Sequence, residues 1–150
     1  MTIRDCILCH SEGGELIWRC APYRLVLVND FSAYPGYCRL IYNQHITEMS
    51  DLAQPIAAQL MNAVLAVEKT LRAVLHPDKI NLASLGNQVP HLHWHIIPRW
   101  QDDPHFPDPI WATPQRSETA RAIRQHELHA RLASAMLALE HNSLATIQKR

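Results

Sequence analysis

Residues 91–97 read His-Leu-His-Trp-His-Ile-Ile, so histidines alternate with apolar side chains along this stretch. Alternation with a period of two residues is typical of a β-strand that packs one face on a core. The apolar face would carry Leu92, Trp94 and Ile96, and the opposite face would carry three imidazoles. We therefore expect a strand over residues 89–97, ended by Pro98, with a functional face beside its core face.

The segments around this strand predict an α+β domain. Runs rich in β-branched and aromatic residues predict further strands at 16–19, 24–29, 37–42 and 80–85. Apolar residues recur every three or four positions over 52–74, which predicts an amphipathic helix capped by Ser50 and ended by His76-Pro77. A second helix is expected from Ser117 to about Glu140. The order of elements favours an antiparallel sheet of about five strands with two main helices packed on it.

Composition predicts one domain over 1–150 and excludes several kinds of protein. The 14 Lys and Arg residues balance the 14 Asp and Glu residues, which argues against a protein that binds a nucleic acid polymer through a broad basic surface. The sequence contains no apolar run near the ~18–20 residues of a membrane span and no signal-peptide pattern at its start. We therefore expect a cytoplasmic protein with no membrane partner.

The spacing of the three histidines predicts separate roles for them. Alternate residues of a strand are ~6.6 Å apart, so His91 and His95 would be ~13 Å apart. One metal ion with bonds of ~2.0–2.1 Å could hardly reach all three rings. Near neutral pH an imidazole can act as a nucleophile, as an acid or base, or as a donor to phosphate. The row therefore favours phosphoryl or nucleotidyl transfer through a phosphoramidate on one ring.

The segment before the row can contribute to anion binding. Gly86-Asn87-Gln88 can bring backbone N–H groups and two side-chain amides close to an anion. The alternative for these three residues is a plain turn without a ligand.

The pattern at 91–97 resembles the signature of the histidine triad (HIT) family, His-φ-His-φ-His-φ-φ, where φ is hydrophobic. Pro98-Arg99 after it resembles the dinucleoside-polyphosphate hydrolase and fragile-histidine-triad branch, and the lead-in from Asn81 to Val89 is similar to that of the family. The resemblance covers about residues 5–100, whereas the loop and helix at 101–150 lie outside the signature. It implies a HIT-like fold with a five-stranded antiparallel sheet, and a homodimer.

The resemblance also implies an activity and its residues. Family members are nucleotide hydrolases or transferases that act at an α-phosphate, here of a dinucleoside polyphosphate or a nucleoside phosphoramidate. By the same resemblance, His93 would be the nucleophile that becomes nucleotidylated, and His95 would bind the phosphate and assist the leaving group. The residues expected to bind the nucleotide substrate are Asn81, Gly86, Asn87, Gln88 and Val89. Neither a catalytic metal nor an organic cofactor is expected.

Cys6-x-x-Cys9 has the spacing of half a zinc site. A redox motif would need a strand before Cys6, and the sequence offers none. Some HIT proteins and the related galactose-1-phosphate uridylyltransferases bind structural zinc through such a pair and two histidines, and this resemblance implies the ligands Cys6, Cys9, His45 and His91. His10 could replace His45. The alternative is two buried thiols beside a locally bonded histidine.

Two departures from the family pattern keep other functions open. Tyr37 stands where family members often have a further active-site histidine, and the lead-in reads Gly-Asn-Gln-Val. A second hypothesis is therefore a zinc-stabilised nucleotide-binding or sensor protein without turnover, which would form no adduct on His93. A third hypothesis is a metalloenzyme that uses two histidines of the row as ligands together with a third histidine or a nearby glutamate, for which Glu48 is the nearest candidate in the sequence.

Overall fold

The computed structural model describes residues 3–147, with side chains described over 4–141. Its strands are β1 Glu15–Cys20, β2 Tyr23–Leu27, β3 Cys38–Tyr42, β4 Lys79–Ala83 and β5 His93–Arg99. Its helices are α1 Ile7–His10, α2 Gln54–Leu75 and α3 Gln125–Ile147. Single 3₁₀ turns lie at Ile3–Asp5 and Met49–Asp51. Five strands and two long helices confirm the predicted α+β class.

All five strands form one antiparallel sheet in the order β1-β2-β3-β5-β4. The histidine strand β5 lies inside the sheet, between β3 and β4. His93 pairs with Ile41, and His95 pairs with Arg39 on one side and Ala83 on the other. Because neighbours hold β5 on both sides, its register is fixed and so are the positions of its histidine side chains.

The two faces of the sheet have different surroundings. On one face, Leu25, Leu40 and Ile96 are fully buried against the two long helices. The stripe of α2 that packs there is the one that the periodicity predicts, with Leu60, Val64, Val67 and Leu71 all buried. Residues Leu128, Leu132 and Met136 of α3 complete this core. His93 and His95 belong to the opposite face, as their alternation with Ile96 requires.

The predicted bounds of the histidine strand are wrong at both ends. β5 begins at His93 rather than at residue 89, because the chain turns before it: His91 N donates to the Val89 carbonyl and Leu92 N to the Ile46 carbonyl. His91 therefore lies outside the strand. At the other end β5 runs through Pro98, which pairs with Ile80. β3 no longer pairs beyond Ile96, so Pro98 has a neighbouring strand on one side only, where proline is tolerated.

The predicted starts of both long helices also differ from the observed ones. Ser50 lies in a 3₁₀ turn, and α2 begins at Gln54 with Pro55 in its first turn, a favourable place for proline. α3 begins at Gln125 rather than at Ser117. The segment before it is held instead by hydrogen bonds that Thr119 and Arg121 donate to Asp102 in the loop after β5. Over residues 3–147, the structure has no helix with the length and apolarity to cross a bilayer.

The packing of α3 can be tested because it lies outside the recognised signature. Leu132 is fully buried, whereas Leu137 on the same helix is 47% exposed. We expect Leu132→Ala to lower the free energy of unfolding by about 2–5 kcal/mol, since it leaves a cavity. Leu137→Ala should change it by no more than about 0.5 kcal/mol. Urea denaturation followed by circular dichroism measures both, and equal effects would contradict the packing of α3 on the core.

Candidate functional site

A cleft of about 370 Å³ opens on the histidine face of the sheet. Its floor carries His93 and His95 from β5 and Arg39 from β3, and its walls come from the N-terminal segment, the loop before β5 and the loop after it. The wall residues are Ile7, Leu8, Leu85, Gly86, Asn87, Gln88, Val89 and Trp111. Four of the five residues expected to bind substrate therefore line this cleft together with both expected catalytic histidines.

The His93 ring is held in one tautomer. Its Nδ1 lies 2.6 Å from the backbone carbonyl oxygen of His91, and a carbonyl oxygen can only accept. Nδ1 therefore donates its proton to that carbonyl, and Nε2 carries the lone pair in the neutral ring. Burial lowers the pKa of His93, although the bond to the carbonyl acts in the opposite direction. The ring is thus neutral near pH 7, the state in which Nε2 can act as a nucleophile.

The His95 ring is held through its other neighbour, the Tyr37 hydroxyl. The Tyr37 oxygen lies 2.5 Å from His95 Nδ1, and both residues are buried. Burial raises the pKa of Tyr37, and it lowers the pKa of His95 to about 3, with His93 and Arg39 acting in the same direction. When the neutral hydroxyl donates to Nδ1, the proton of His95 stays on Nε2. His95 can then donate where His93 can attack, with the two ring centroids 4.6 Å apart.

The third histidine of the row belongs to a different cluster. Each of Cys6, Cys9, His45 and His91 offers one ligand atom, and these atoms all lie within 4.8 Å of one another. The Sγ atoms of Cys6 and Cys9 lie 3.4 and 3.5 Å from His91 Nδ1, and Cys9 Sγ lies 3.3 Å from His45 Nδ1. Tetrahedral zinc with sulfur and nitrogen ligands requires ligand separations of about 3.3–3.8 Å. The predicted set of four residues is thus brought together with spacings that suit zinc.

The orientation of His91 also fits a metal ligand. Its Nε2 donates to the Tyr42 carbonyl oxygen at 2.6 Å, so Nδ1 carries the lone pair on the side of the two thiols. His10, the alternative to His45, is outside the cluster, and its Nε2 is bonded to the Arg4 carbonyl. Within residues 4–141, His93 and His95 join no group of three metal-binding side chains with Glu48 or any other residue. The metalloenzyme hypothesis thus finds no support in this geometry.

Asn81 does not line the cleft. Asn81 lies on β4 and pairs with Ile97 of β5. Its side-chain oxygen accepts a hydrogen bond from Arg99 Nη1 at 2.6 Å. Arg99 is buried and forms an ion pair with Asp103 at 2.7 Å. The structure therefore links Asn81 to the loop after β5, and its expected role toward a phosphate stays a prediction.

The loop after β5 is organised by Asp103, which the sequence analysis did not single out. The carboxylate accepts from Arg99 and from the backbone N–H groups of Trp100, His105 and Phe106. Burial alone would raise the pKa of Asp103, but these donors outweigh it and lower the pKa. The loop so fixed places the Trp111 ring 5.2 Å from the His95 ring. The available signal in the sequence was an arginine at the end of the strand and an aspartate four positions later.

A family model for the HIT domain matches residues 19–102, which is more than half of the chain. The chain belongs to the HIT domain family. Two curated relatives are an Ap4A phosphorylase from Mycobacterium tuberculosis, 26% identical over 86 residues, and a bis(5′-adenosyl)-triphosphatase from Saccharomyces cerevisiae, 28% identical over 93 residues. The matches cover 53% and 58% of this chain, but only 44% and 45% of those relatives.

A solved structure confirms that this is a HIT fold. A histidine triad protein from Bradyrhizobium japonicum superposes with a TM-score of 0.69 at 28% identity. The superposition covers 83% of this chain and 91% of that chain. The likeness of this HIT domain to its neighbour thus extends well beyond the histidine signature.

The burial of His95 predicts how stability depends on pH. Its pKa is about 3 in the folded HIT domain, whereas an unfolded histidine titrates near 6.5, so only the unfolded state gains this proton at intermediate pH. This group should therefore lower the free energy of unfolding by roughly 2 kcal/mol between pH 7 and pH 5.

His95→Asn tests this, because the asparagine oxygen can replace Nδ1 as the acceptor for Tyr37 but cannot titrate. Thermal unfolding at pH 7, 6 and 5 should show a smaller loss of stability on acidification in the variant than in the wild type. Parallel pH profiles would contradict the assignment. Loss of a metal on acidification would affect both proteins alike and cancel in the comparison.

Proposed function

We propose that this HIT domain is a nucleotidyl hydrolase or transferase that acts at the α-phosphate of a nucleotide conjugate through an intermediate on His93 Nε2. The observation that carries the proposal is the complementary pair of tautomers in one cleft. His93 keeps a lone pair on Nε2 because its Nδ1 donates a hydrogen bond to a carbonyl oxygen. His95 can keep a proton on Nε2 because its Nδ1 can accept a hydrogen bond from the Tyr37 hydroxyl.

The proposed reaction has two steps. In the first, His93 Nε2 attacks the α-phosphorus, a P–N bond forms, and the bond from phosphorus to the leaving group breaks. His95 donates its Nε2 proton to a leaving group that needs one, such as an amine, and its Nδ1 takes up the Tyr37 hydroxyl proton in exchange. In the second step water attacks the same phosphorus, and the P–N bond breaks with its electron pair returning to His93 Nε2. The proton of the water goes to His95 Nε2, so that Tyr37 regains its own, or to solvent where His95 kept its proton, and the nucleoside monophosphate leaves. Backbone N–H groups of residues 86–89 would bind the phosphate oxygens.

The comparisons support the class of substrate. The two curated relatives are named as enzymes of dinucleoside polyphosphates. The match to the HIT family model, over residues 19–102, includes the histidine strand and its neighbours in the sheet. Because the matches cover less than half of the length of those relatives, we assign their class of substrate to this chain only as a proposal. We propose dinucleoside polyphosphates or nucleoside phosphoramidates as substrates. The homodimer and the cytoplasmic location stay predictions.

We also propose a structural zinc ion held by Cys6, Cys9, His45 and His91. The spacing of the four ligand atoms and the tautomer of His91 support it. The ion would tie the N-terminal segment, which walls the cleft, to the residue whose carbonyl holds His93. Its contribution would be to stability and to the orientation of His91.

The reaction can be tested with His93→Ala on a panel of Ap4A, Ap3A, GTP and adenosine 5′-phosphoramidate. We expect wild-type turnover of at least one compound and a loss of about a thousandfold or more in the variant, since it lacks the nucleophile. Intact mass after an acid-free quench should show one nucleotidyl group on the wild type and none on His93→Ala. The exposed residue His126 provides a matched control, and His126→Ala should retain both activity and adduct.

Retained melting temperature and metal content would show that His93→Ala is folded. Brief chelation should not stop turnover if no metal takes part in the chemistry. Binding of nucleotides without turnover or adduct in the folded wild type would contradict the proposal and favour the nucleotide-binding or sensor protein.

The zinc proposal predicts the effect of Cys9→Ala. The variant should lose the zinc measured in the wild type by elemental analysis. Its melting temperature should fall by several degrees, since each kcal/mol shifts it by roughly 2–4 °C in a domain of this size. Cys20→Ala is the matched control, because Cys20 contacts Glu140 at 2.8 Å and lies outside the cluster. Unchanged zinc content and melting in Cys9→Ala would refute the site.

A further inference from the structure

Arg39 is the one charged side chain among the residues that line the cleft. It lies on β3, directly opposite His95, whereas Ile41 lies opposite His93. Its side chain is half-buried and shares the floor of the cleft with both histidines. A guanidinium stays charged at any pH at which the protein is folded. The cleft therefore contains a permanent positive charge at its His95 end.

This positive charge has no counter-ion within the described part of the chain. Arg39 Nη1 donates to the Gly13 carbonyl at 3.1 Å, while the buried Nε has no hydrogen-bond partner. The guanidinium carbon lies 5.7 Å from the centre of the Tyr37 ring. Asp30 and Glu12 line a neighbouring groove together with Arg39, but over residues 4–141 no carboxylate forms an ion pair with Arg39. An anion bound in the cleft would supply the partner that this half-buried cation lacks.

The positions of Arg39 and the two histidines indicate which part of the substrate the bound anion belongs to. Arg39 brings a positive charge to this cleft, and it lies at the His95 end of the cleft floor. The attacking ring is His93, and a leaving group departs on the side opposite to the attack. His95 serves the leaving group, and Arg39 is its neighbour across the strand pair. Arg39 is therefore placed to meet the leaving group rather than the phosphorus that His93 attacks.

We propose that the Arg39 guanidinium binds a phosphate of the leaving group, so that the cleft selects phosphoanhydride substrates with an anionic leaving group over phosphoramidates. This inference rests on the proposed nucleotidyl transfer to His93. When the bond from the α-phosphorus to the bridging oxygen breaks, the electron pair stays on that oxygen. The guanidinium stabilises the negative charge that develops there, and no proton is needed. An amine leaving group carries no such charge and depends on the proton of His95 instead.

The test compares Arg39→Gln and Arg39→Lys with the wild type on Ap4A and on adenosine 5′-phosphoramidate. In Arg39→Gln we expect kcat/KM to fall about 10- to 100-fold for Ap4A and by less than about threefold for the phosphoramidate. Arg39→Lys should recover part of the loss on Ap4A, because it keeps the charge but not the planar fork. Arg72→Gln, at an exposed position on α2, is the control that should change neither value. Melting temperature and zinc content report on folding of each variant.

The outcomes separate this proposal from the one on which it rests. An equal loss on both substrates would place Arg39 at the α-phosphate and overturn the proposal, and so would no loss on Ap4A. If the wild type turns over neither compound, nucleotidyl transfer fails, and calorimetric titration with Ap4A and AMP decides the role of Arg39. A tenfold or greater loss of affinity for Ap4A alone in Arg39→Gln would still support leaving-group binding, and equal affinities in variant and wild type would overturn it.

Discussion

The hydrogen bond from His93 Nδ1 to the carbonyl of His91 is the contact on which the site depends. This hydrogen bond keeps the ring proton on Nδ1, on the side away from the cleft, and leaves the lone pair on Nε2. The acceptor is itself held on three sides. The His91 ring donates to Tyr42 and faces the two cysteines of the N-terminal segment, and its peptide N–H is bonded to Val89. His91 thereby joins the cysteine cluster to His93, the proposed nucleophile.

The sheet adds the second constraint, because β5 is paired on both sides. A histidine on an edge strand could shift by a register step. His95 is instead paired with β3 and β4 at once, and His93 is paired with β3. The pairing of β3 with β5 places Arg39 opposite His95 and Ile41 opposite His93. One histidine therefore has a charged neighbour and the other has an apolar one. The order of the strands thus converts a local sequence pattern into a cleft with two different ends.

Local patterns predicted the elements well, and long-range contacts account for what they missed. The alternation of histidines with apolar residues around Trp94 lies within one strand, and the apolar stripe of α2 lies within one helix. The sequence was therefore sufficient to predict which face of the strand carries the histidines and where the helix packs. The departure of His91 from the strand depends on bonds to Ile46 and Val89, and the late start of α3 depends on Asp102, which no local pattern records. The spacing of Cys6 and Cys9 indicated half of the cysteine cluster, whereas its two histidines were accessible through resemblance alone, since they come from distant segments.

Tyr37 shows why a departure from the family pattern need not remove activity. A histidine at this position could itself gain or lose a proton near neutral pH. Burial raises the pKa of the Tyr37 hydroxyl, so this group is neutral near pH 7. When it donates to His95 Nδ1, the proton of His95 stays on Nε2. Arg39 lies two positions after Tyr37 and opposite His95, where its charge can meet a phosphate in the cleft. The tyrosine in place of a histidine and the arginine beside it thus form one consistent arrangement.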